Sequence, residues 1–165
     1  MTLRYDEADD RDVAVLSRLR TAAAMKLTEE HGKGHWSTPI SEAAVRRGFP
    51  HARVLVARDG GEVVGTLRLA TKKPWAIDLK YFTRAGRALY LTDMAVDPAS
   101  QRRGVGRGLL HAAVEVARAW PADAIRLDAY DAAAGAGPFY AACGLREVGR
   151  ASYRGVPLVY FEKLL

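Results

Sequence analysis

The chain of 165 residues carries a formal net charge of +6 at neutral pH, with 49% of its residues hydrophobic and 27% charged. This composition excludes a wholly disordered chain, and the length predicts a single domain over residues 1–165. A single cysteine excludes an intramolecular disulfide and a thiolate-rich metal site, so we expect no metal.

The chain begins with a predicted strand at Leu3–Asp6, within the acidic and polar segment "MTLRYDEADDRD". That segment is unlike a signal peptide, and no apolar run approaches the roughly 20 residues of a membrane-spanning helix. We therefore expect a cytoplasmic location and no membrane partner.

Two helices are predicted next. Apolar residues recur at helical spacing over Asp9–Glu30, which predicts a largely helical segment. Glycines and a proline then predict a loop over His31–Pro39. After this loop, Ser41 can cap a short helix that continues through Arg47.

The sequence in the middle of the chain predicts three strands. Two β-branched, apolar runs flank Asp59-Gly60-Gly61, and an Asp-Gly turn between such runs is typical of a hairpin. Residues Thr71–Arg87 are aromatic, basic and interrupted by a proline, which predicts a loop with one helical turn. Ala88–Val96 predicts a buried strand that Asp97-Pro98 ends, since proline cannot continue a β-ladder.

The last part of the chain alternates helices and strands. An apolar face recurs every three or four residues over Gly106–Trp120 and predicts a helix that Pro121 ends. A strand over Ala124–Tyr130, a short helix opened by Pro138 and two strands around Gly155 follow. The alternation predicts the α/β class, with a mixed sheet covered by helices.

A glycine- and arginine-rich loop, Gln101–Gly108, joins the strand that ends at Val96 to the following helix. Three glycines stand at positions 104, 106 and 108, and three arginines at positions 102, 103 and 107. The first amides of a helix have no intrahelical partner and the helix dipole favours negative charge there, so the loop predicts a phosphate site. An ordinary glycine-rich helix entry with a solvated arginine face is the alternative interpretation.

The loop also resembles a known family. Its spacing matches neither the P-loop nor the dinucleotide fingerprint. Instead, "QRRGVG" after "LTDMAVDP" closely resembles the coenzyme A loop of the GNAT acetyltransferase superfamily, whose signature is [QR]-x-x-G-x-[GA]. "GGEVVGTLRL" is similar to the family's second and third strands, and "GPFYAACGLREVGR" to its segment after the fifth.

This resemblance covers nearly the whole chain and implies the GNAT fold. That fold is a mixed, mostly antiparallel sheet of about seven strands flanked by about four helices. It also implies an N-acetyltransferase that moves an acetyl group from acetyl-CoA, its co-substrate, directly to a primary amine of a small molecule or peptide in a ternary complex.

The same resemblance implies a cofactor site. Acetyl-CoA would lie in a notch where strands four and five separate, with its pyrophosphate on the amides of Arg102–Arg107. Its pantetheine arm would pair with the backbone of Met94–Val96. The expected cofactor-binding residues are therefore Met94, Ala95, Val96, Gln101, Arg102, Arg103, Gly104, Val105, Gly106, Arg107 and Tyr140.

The reaction needs a base for the ammonium group, a donor for the oxyanion and an acid for the departing thiolate. Tyr140 matches the family's acid tyrosine, with a core aromatic as the alternative interpretation, and the Met94 amide is expected to hold the oxyanion. Asp93 is the best-placed carboxylate and is either the base or a structural acceptor. His35, another residue or a water chain are the alternatives for the base.

Two features of the sequence favour other functions. Ala133 stands where many relatives have an asparagine that helps hold the cofactor, which favours a non-catalytic coenzyme A binding or sensing module of the same fold. Cys143 lies three residues beyond Tyr140 and offers a covalent route, but no histidine neighbours it in sequence, so direct transfer is favoured. No recognition-helix pattern accompanies the arginines, so we expect no nucleic acid partner.

The amine acceptor stays unidentified. In the family its site is built by segments that correspond to "HGKGHW", "KPWAIDLKYF" and "SYRGVPLVYF". Among their aromatic residues they contribute Trp36, Trp75, Tyr81, Tyr153 and Tyr160. With the basic residues around them they would suit an acceptor with a carboxylate rather than a polycation, although ordinary packing explains several of them as well. Family members often pair through the C-terminal strands, and the apolar "PLVYFEKLL" is compatible with a homodimer.

Overall fold

A computed structural model describes residues 2–165. Seven strands form one sheet in the order β1-β2-β3-β4-β5-β7-β6. They are β1 Leu3–Glu7, β2 Ala52–Asp59, β3 Glu62–Ala70, β4 Ala88–Val96, β5 Ala124–Tyr130, β6 Arg146–Tyr153 and β7 Val156–Leu164. The helices are α1 Val13–His31, α2 Glu42–Arg47, α3 Val105–Ala119 and α4 Gly137–Ala142. The predicted class and strand count are confirmed.

The sheet is mixed because of one crossover. β4 and β5 are joined through α3 and run parallel, pairing Ala88–Tyr90 with Ala124–Arg126. β1 with β2, β5 with β7, and β6 with β7 pair antiparallel. Parallel neighbours need a long connection, which α3 supplies between β4 and β5, whereas the antiparallel β6 and β7 are joined by a tight turn at residues 154–155.

The ends of the helices follow local chemistry. The predicted helix over Asp9–Glu30 begins as a short 3-10 turn, because the Asp9 carboxylate accepts the Arg11 amide at 2.9 Å, and continues as α1. Ser41 caps α2 as predicted, accepting the Ala44 amide at 3.1 Å. Gly144 follows α4 with a φ of +87°. None of the helices within residues 2–165 is long and apolar enough to cross a membrane.

One compact unit comprises the chain up to Leu69 together with Thr92–Ala113. Its core joins α1, α2 and the first strands through Val13, Leu16, Leu19, Val45, Val56 and Val63. The Arg58 guanidinium binds both oxygens of Asp12 at 3.0 Å and Asp6 at 3.0 Å. This hydrogen bonding lowers the pKa of Asp12 despite its burial and ties β1 and β2 to the start of α1.

The other compact unit comprises Ala70–Leu91 together with Val114–Leu165. Residues 71–87 form the predicted loop with one helical turn, and they pack on β4 and β7 through Ile77, Phe82, Tyr90, Leu158 and Tyr160. The buried Glu162 carboxylate accepts the amide and hydroxyl of Thr83 and pairs with Arg146 at 2.7 Å. Burial alone would raise the pKa of Glu162, but these hydrogen bonds outweigh it and lower that pKa.

Candidate active site

The loop Gln101–Gly108 lies in the first unit, between β4 and α3. A 3-10 turn at Pro98–Ser100, capped by the Asp97 carboxylate on the Ala99 amide, turns the chain away from the sheet. Arg102 and Gly104 then adopt left-handed backbone conformations, with φ of +62° and +82°, before α3 begins at Val105. Left-handed residues are typical of anion-binding nests, in which successive backbone amides face one anion, and we call residues 102–106 the nest.

The amides of this nest are available to a ligand. Among residues 2–165, no backbone or side-chain group accepts a hydrogen bond from the N–H groups of residues 102–106. The side chains of Arg102, Arg103 and Arg107 are exposed around the same loop. Unpaired amides, a helix N-terminus and guanidinium groups together form a site suited to a phosphate.

The glycines of the loop serve different purposes. Gly104 needs its left-handed conformation, and a Cβ built on it meets no heavy atom within 4 Å. Gly108 lies inside α3, where a built Cβ would stand 1.7 Å from the Tyr5 hydroxyl oxygen. Gly104 therefore shapes the nest, whereas Gly108 lets α3 pack closely on Tyr5 of β1.

The end of β4 lies in the same unit and holds four predicted site residues. Asp93 has a φ of +56°, which interrupts the extended strand, and its carboxylate pairs with Arg20 of α1 at 3.0 Å. Met94, Ala95 and Val96 are half-buried after this irregularity. The Gln101 amide nitrogen donates to the Val96 carbonyl at 3.4 Å, which brings the strand end and the loop together.

Tyr140 lies on α4 in the second unit and is only 6% exposed. Its ring contacts those of Phe139 and Phe161, with centroids 5.4 and 6.0 Å apart. Burial, and then the negative charges of Asp128 and Cys143, raise the pKa of the Tyr140 phenol. The residue is thus both a core aromatic and a phenol that stays protonated throughout the neutral range.

Asp128 of β5 is a candidate residue that the sequence analysis did not single out. Burial raises the pKa of its carboxyl, and within residues 2–165 it makes no ion pair or hydrogen bond. Burial raises the pKa of Tyr130, Tyr140 and Tyr160, and the charge of Asp128 adds a smaller increase to each. The signal was present in "AIRLDAY", where polar residues alternate with Ile125, Leu127 and Ala129 and so share one face of the strand.

The remaining predicted site residues are dispersed. Within the second unit, Trp75, Tyr153 and Tyr160 line one cavity, but Tyr160 is only 1% exposed and donates to the Ala76 carbonyl. In the first unit, His35 is exposed and the Trp36 indole donates to the Gly32 carbonyl at 3.1 Å.

Two further observations concern alternative chemistry. Cys143 is half-buried at the end of α4. Over residues 2–165, no group of three or more histidines, cysteines, aspartates or glutamates is arranged to hold a metal ion.

Comparison with known families gives a match over most of the chain. Residues 21–145 match the model of the acetyltransferase (GNAT) family. Among curated proteins, glucosamine 6-phosphate N-acetyltransferase 1 of Oryza sativa subsp. japonica is 31% identical over 118 residues, which cover 67% of each chain.

Solved structures share the fold. An N-acetyltransferase from Staphylococcus aureus Mu50 superposes with a TM-score of 0.75 at 15% identity, covering 99% of both chains. An aminoglycoside 6'-N-acetyltransferase complexed with coenzyme A superposes with a TM-score of 0.70 at 15% identity, covering 98% of this chain and 96% of that one.

Proposed function

Because the chain belongs to the GNAT acetyltransferase family, we propose that it transfers the acetyl group of acetyl-CoA directly to the primary amine of a small molecule or peptide in a ternary complex. The nest of unpartnered amides at residues 102–106 is the observation that carries this proposal. A polyanionic co-substrate needs such a site, and a catalyst with no phosphate to hold would not need it.

The loop fits the pyrophosphate of coenzyme A. In the proposal the amides of Arg102–Arg107 bind its oxygens, and the exposed arginines at positions 102, 103 and 107 add charge at the rim. Gln101, already hydrogen-bonded to the Val96 carbonyl, supports the loop from the strand side. Met94–Val96 pair with the pantetheine arm, and acetyl-CoA supplies the activated thioester.

Tyr140 is proposed as the acid that protonates the departing thiolate. The phenol is protonated at neutral pH, as a proton donor must be, and its raised pKa means that it gives up the proton only to a strongly basic thiolate. The Met94 amide is proposed to stabilise the oxyanion, which an amide aimed at the developing charge does efficiently.

Two carboxylates compete for the role of base. Asp93 is held by Arg20 at 3.0 Å, whereas Asp128 makes no ion pair within residues 2–165. Burial raises the pKa of Asp128, and a carboxyl with a raised pKa is a stronger base once ionised. We therefore propose Asp128 as the base and assign Asp93 to positioning the end of β4.

We also propose a class of acceptor amine, an oligomeric state and a cellular location for the protein. The similar rice enzyme is named for an amino sugar phosphate, which favours a small-molecule amine over a peptide. We propose that residues 1–165 act as one cytoplasmic catalytic domain that pairs with a second copy.

The test is free-thiol release from acetyl-CoA in the presence of amino acids, amino sugars, aminoglycosides and peptide N-termini. Release that requires a particular amine, and that falls at least roughly tenfold in Tyr140→Phe, would support transfer and the acid role together. Tight coenzyme A binding without acceptor-dependent release, and no effect of the substitution, would instead identify a coenzyme A binding module.

A further inference from the structure

A narrow pocket in the first unit combines one carboxylate with two guanidinium groups. It is lined by Arg20 of α1, Arg68 of β3 and Asp93 of β4, together with apolar and small residues. Those other lining residues are Leu16, Val45, Gly48, Val54, Thr66 and Leu67. Charged groups on an otherwise apolar wall are the usual composition of a site for a small polar ligand.

The charges in this pocket do not balance. Arg20 is neutralised by Asp93 at 3.0 Å. Arg68 donates through Nε to the Gly48 carbonyl at 2.6 Å, but no carboxylate within residues 2–165 lies within 4 Å of its guanidinium. Arg68 is half-buried, so one positive charge is partly desolvated without a counter-ion. Such a charge is unfavourable until an anion approaches it.

Local packing keeps the Arg68 guanidinium in place. The hydrogen bond from Arg68 Nε to the Gly48 carbonyl, at 2.6 Å, fixes the inner end of the guanidinium. Within residues 2–165, its two terminal nitrogens donate no hydrogen bond to the protein and can present a planar pair of donors, the geometry that binds carboxylate and phosphate oxygens.

We propose that Arg68 is a specificity residue that binds an anionic group, a carboxylate or a phosphate, on the acceptor amine. The inference rests on the proposed acetyltransferase function and names the acceptor class: a small amine that carries its own negative charge. The similar rice enzyme is named for glucosamine 6-phosphate, which is itself a small amine with a negative charge.

The experiment compares three acceptors that share an aminoethyl group: ethanolamine, β-alanine and O-phosphoethanolamine. In the wild-type protein, kcat/KM for one or both anionic amines should exceed that for ethanolamine at least roughly tenfold. The anion that gives the larger ratio identifies carboxylate or phosphate. Glucosamine and glucosamine 6-phosphate form a second matched pair.

Arg68→Met should remove the preference by raising KM for the anionic amines far more than KM for ethanolamine. Arg68→Lys, which keeps the charge, should restore part of it. Arg47→Met removes an exposed charge from α2 outside the pocket and should change nothing. Equal loss with all acceptors, or a wild-type preference for ethanolamine or an aminoglycoside, would overturn the proposal.

Equilibrium binding distinguishes failure of the proposed acetyltransferase function from failure of the proposed anion site. If no amine supports thiol release, calorimetric titration of O-phosphoethanolamine, β-alanine and glucosamine 6-phosphate into wild type and Arg68→Met still tests the pocket. Binding of any of them that Arg68→Met abolishes would support the anion site without catalysis. No binding of any of them to the wild type would overturn it.

Discussion

Two residues of the nest, Arg102 and Gly104, both adopt the left-handed backbone conformation, but at different energetic cost. Arg102, with φ of +62°, bears a Cβ that the left-handed region disfavours by roughly 1–2 kcal/mol, whereas Gly104, with φ of +82°, has none. Non-glycine residues persist in such conformations where the surrounding structure holds them, often at ligand sites. The strain at Arg102 therefore agrees with a loop shaped for binding rather than for folding alone.

Gly104→Ala tests the nest against a matched control, Gly155→Ala. Gly155 has a φ of +81°, and a Cβ built on either glycine meets no heavy atom within 4 Å. Both substitutions should lower the free energy of unfolding by about 1–2 kcal/mol, measured by urea denaturation. Only Gly104→Ala should weaken coenzyme A binding, by about tenfold in calorimetry. Equal affinities of the two variants would show that the nest does not hold the cofactor.

Asp128→Asn tests the proposed base through pH. The pKa of this carboxyl is higher in the folded protein than its unfolded value of about 3.9. Folded protein thus binds the proton more tightly, and stability falls as pH rises from about 4 through the raised pKa. In the Asp128→Asn variant, the free energy of unfolding should no longer fall as the pH rises. Urea denaturation between pH 4 and 8 measures this.

Activity should follow the same ionisation. The rising limb of kcat/KM against pH should report the raised pKa of Asp128, and Asp128→Asn should lower kcat by about 10²-fold or more. Asp93→Asn is the comparison, because its partner Arg20 lies within 3.0 Å. A larger loss of kcat in Asp93→Asn than in Asp128→Asn would assign the base to Asp93.

At the scale of elements, the contact between α3 and β1 depends on one missing methyl group. Gly108→Ala would place a Cβ against the Tyr5 hydroxyl, so the helix must shift or Tyr5 must move. We expect destabilisation by about 1–3 kcal/mol, measured by urea denaturation. Tyr5→Phe removes the nearest atom and should relieve part of this loss in the double variant. Additive losses would mean that another contact holds α3 in place.

The apolar composition of the C-terminal strand, β7, is explained by its burial within its own unit. β7 lies between β5 and β6, and Leu158, Val159, Tyr160 and Phe161 are all buried there. Strands paired on both sides need apolar residues on both faces when both are covered. The composition of "PLVYFEKLL" is therefore accounted for by the core, and the homodimer stays a prediction that sedimentation can test.

At the scale of the whole molecule, the net charge of +6 suits a polyanionic co-substrate. Ligands that bind only the folded state stabilise it by about 2.7 kcal/mol at a hundred times Kd. Coenzyme A should therefore raise Tm, and less so at high salt, whereas pantetheine, which lacks the phosphates, should raise it much less. Equal shifts by both compounds would show that the arginine-rich loop contributes nothing to binding.

Local sequence determined most of the fold and the location of the phosphate site. Hydrophobic periods, the Asp59-Gly60-Gly61 turn, the Ser41 cap and the proline after β4 act over a few residues, so their consequences can be read from the sequence alone. The nest has the same origin, because Gly104 and the start of α3 are adjacent in the chain.

Only the tertiary structure decided the surroundings of the chemical groups. Arg68 and Asp93 line one pocket. Besides burial, the charge of Asp128 raises the pKa of Tyr140, and Tyr5 packs against Gly108. The two residues of each pair are separated in the chain. Burial and counter-ions, which set a pKa or leave a charge unpaired, arise from packing between such distant segments. The sequence therefore determined which groups are present, and the tertiary structure decided which of them are paired and which remain available for binding or proton transfer.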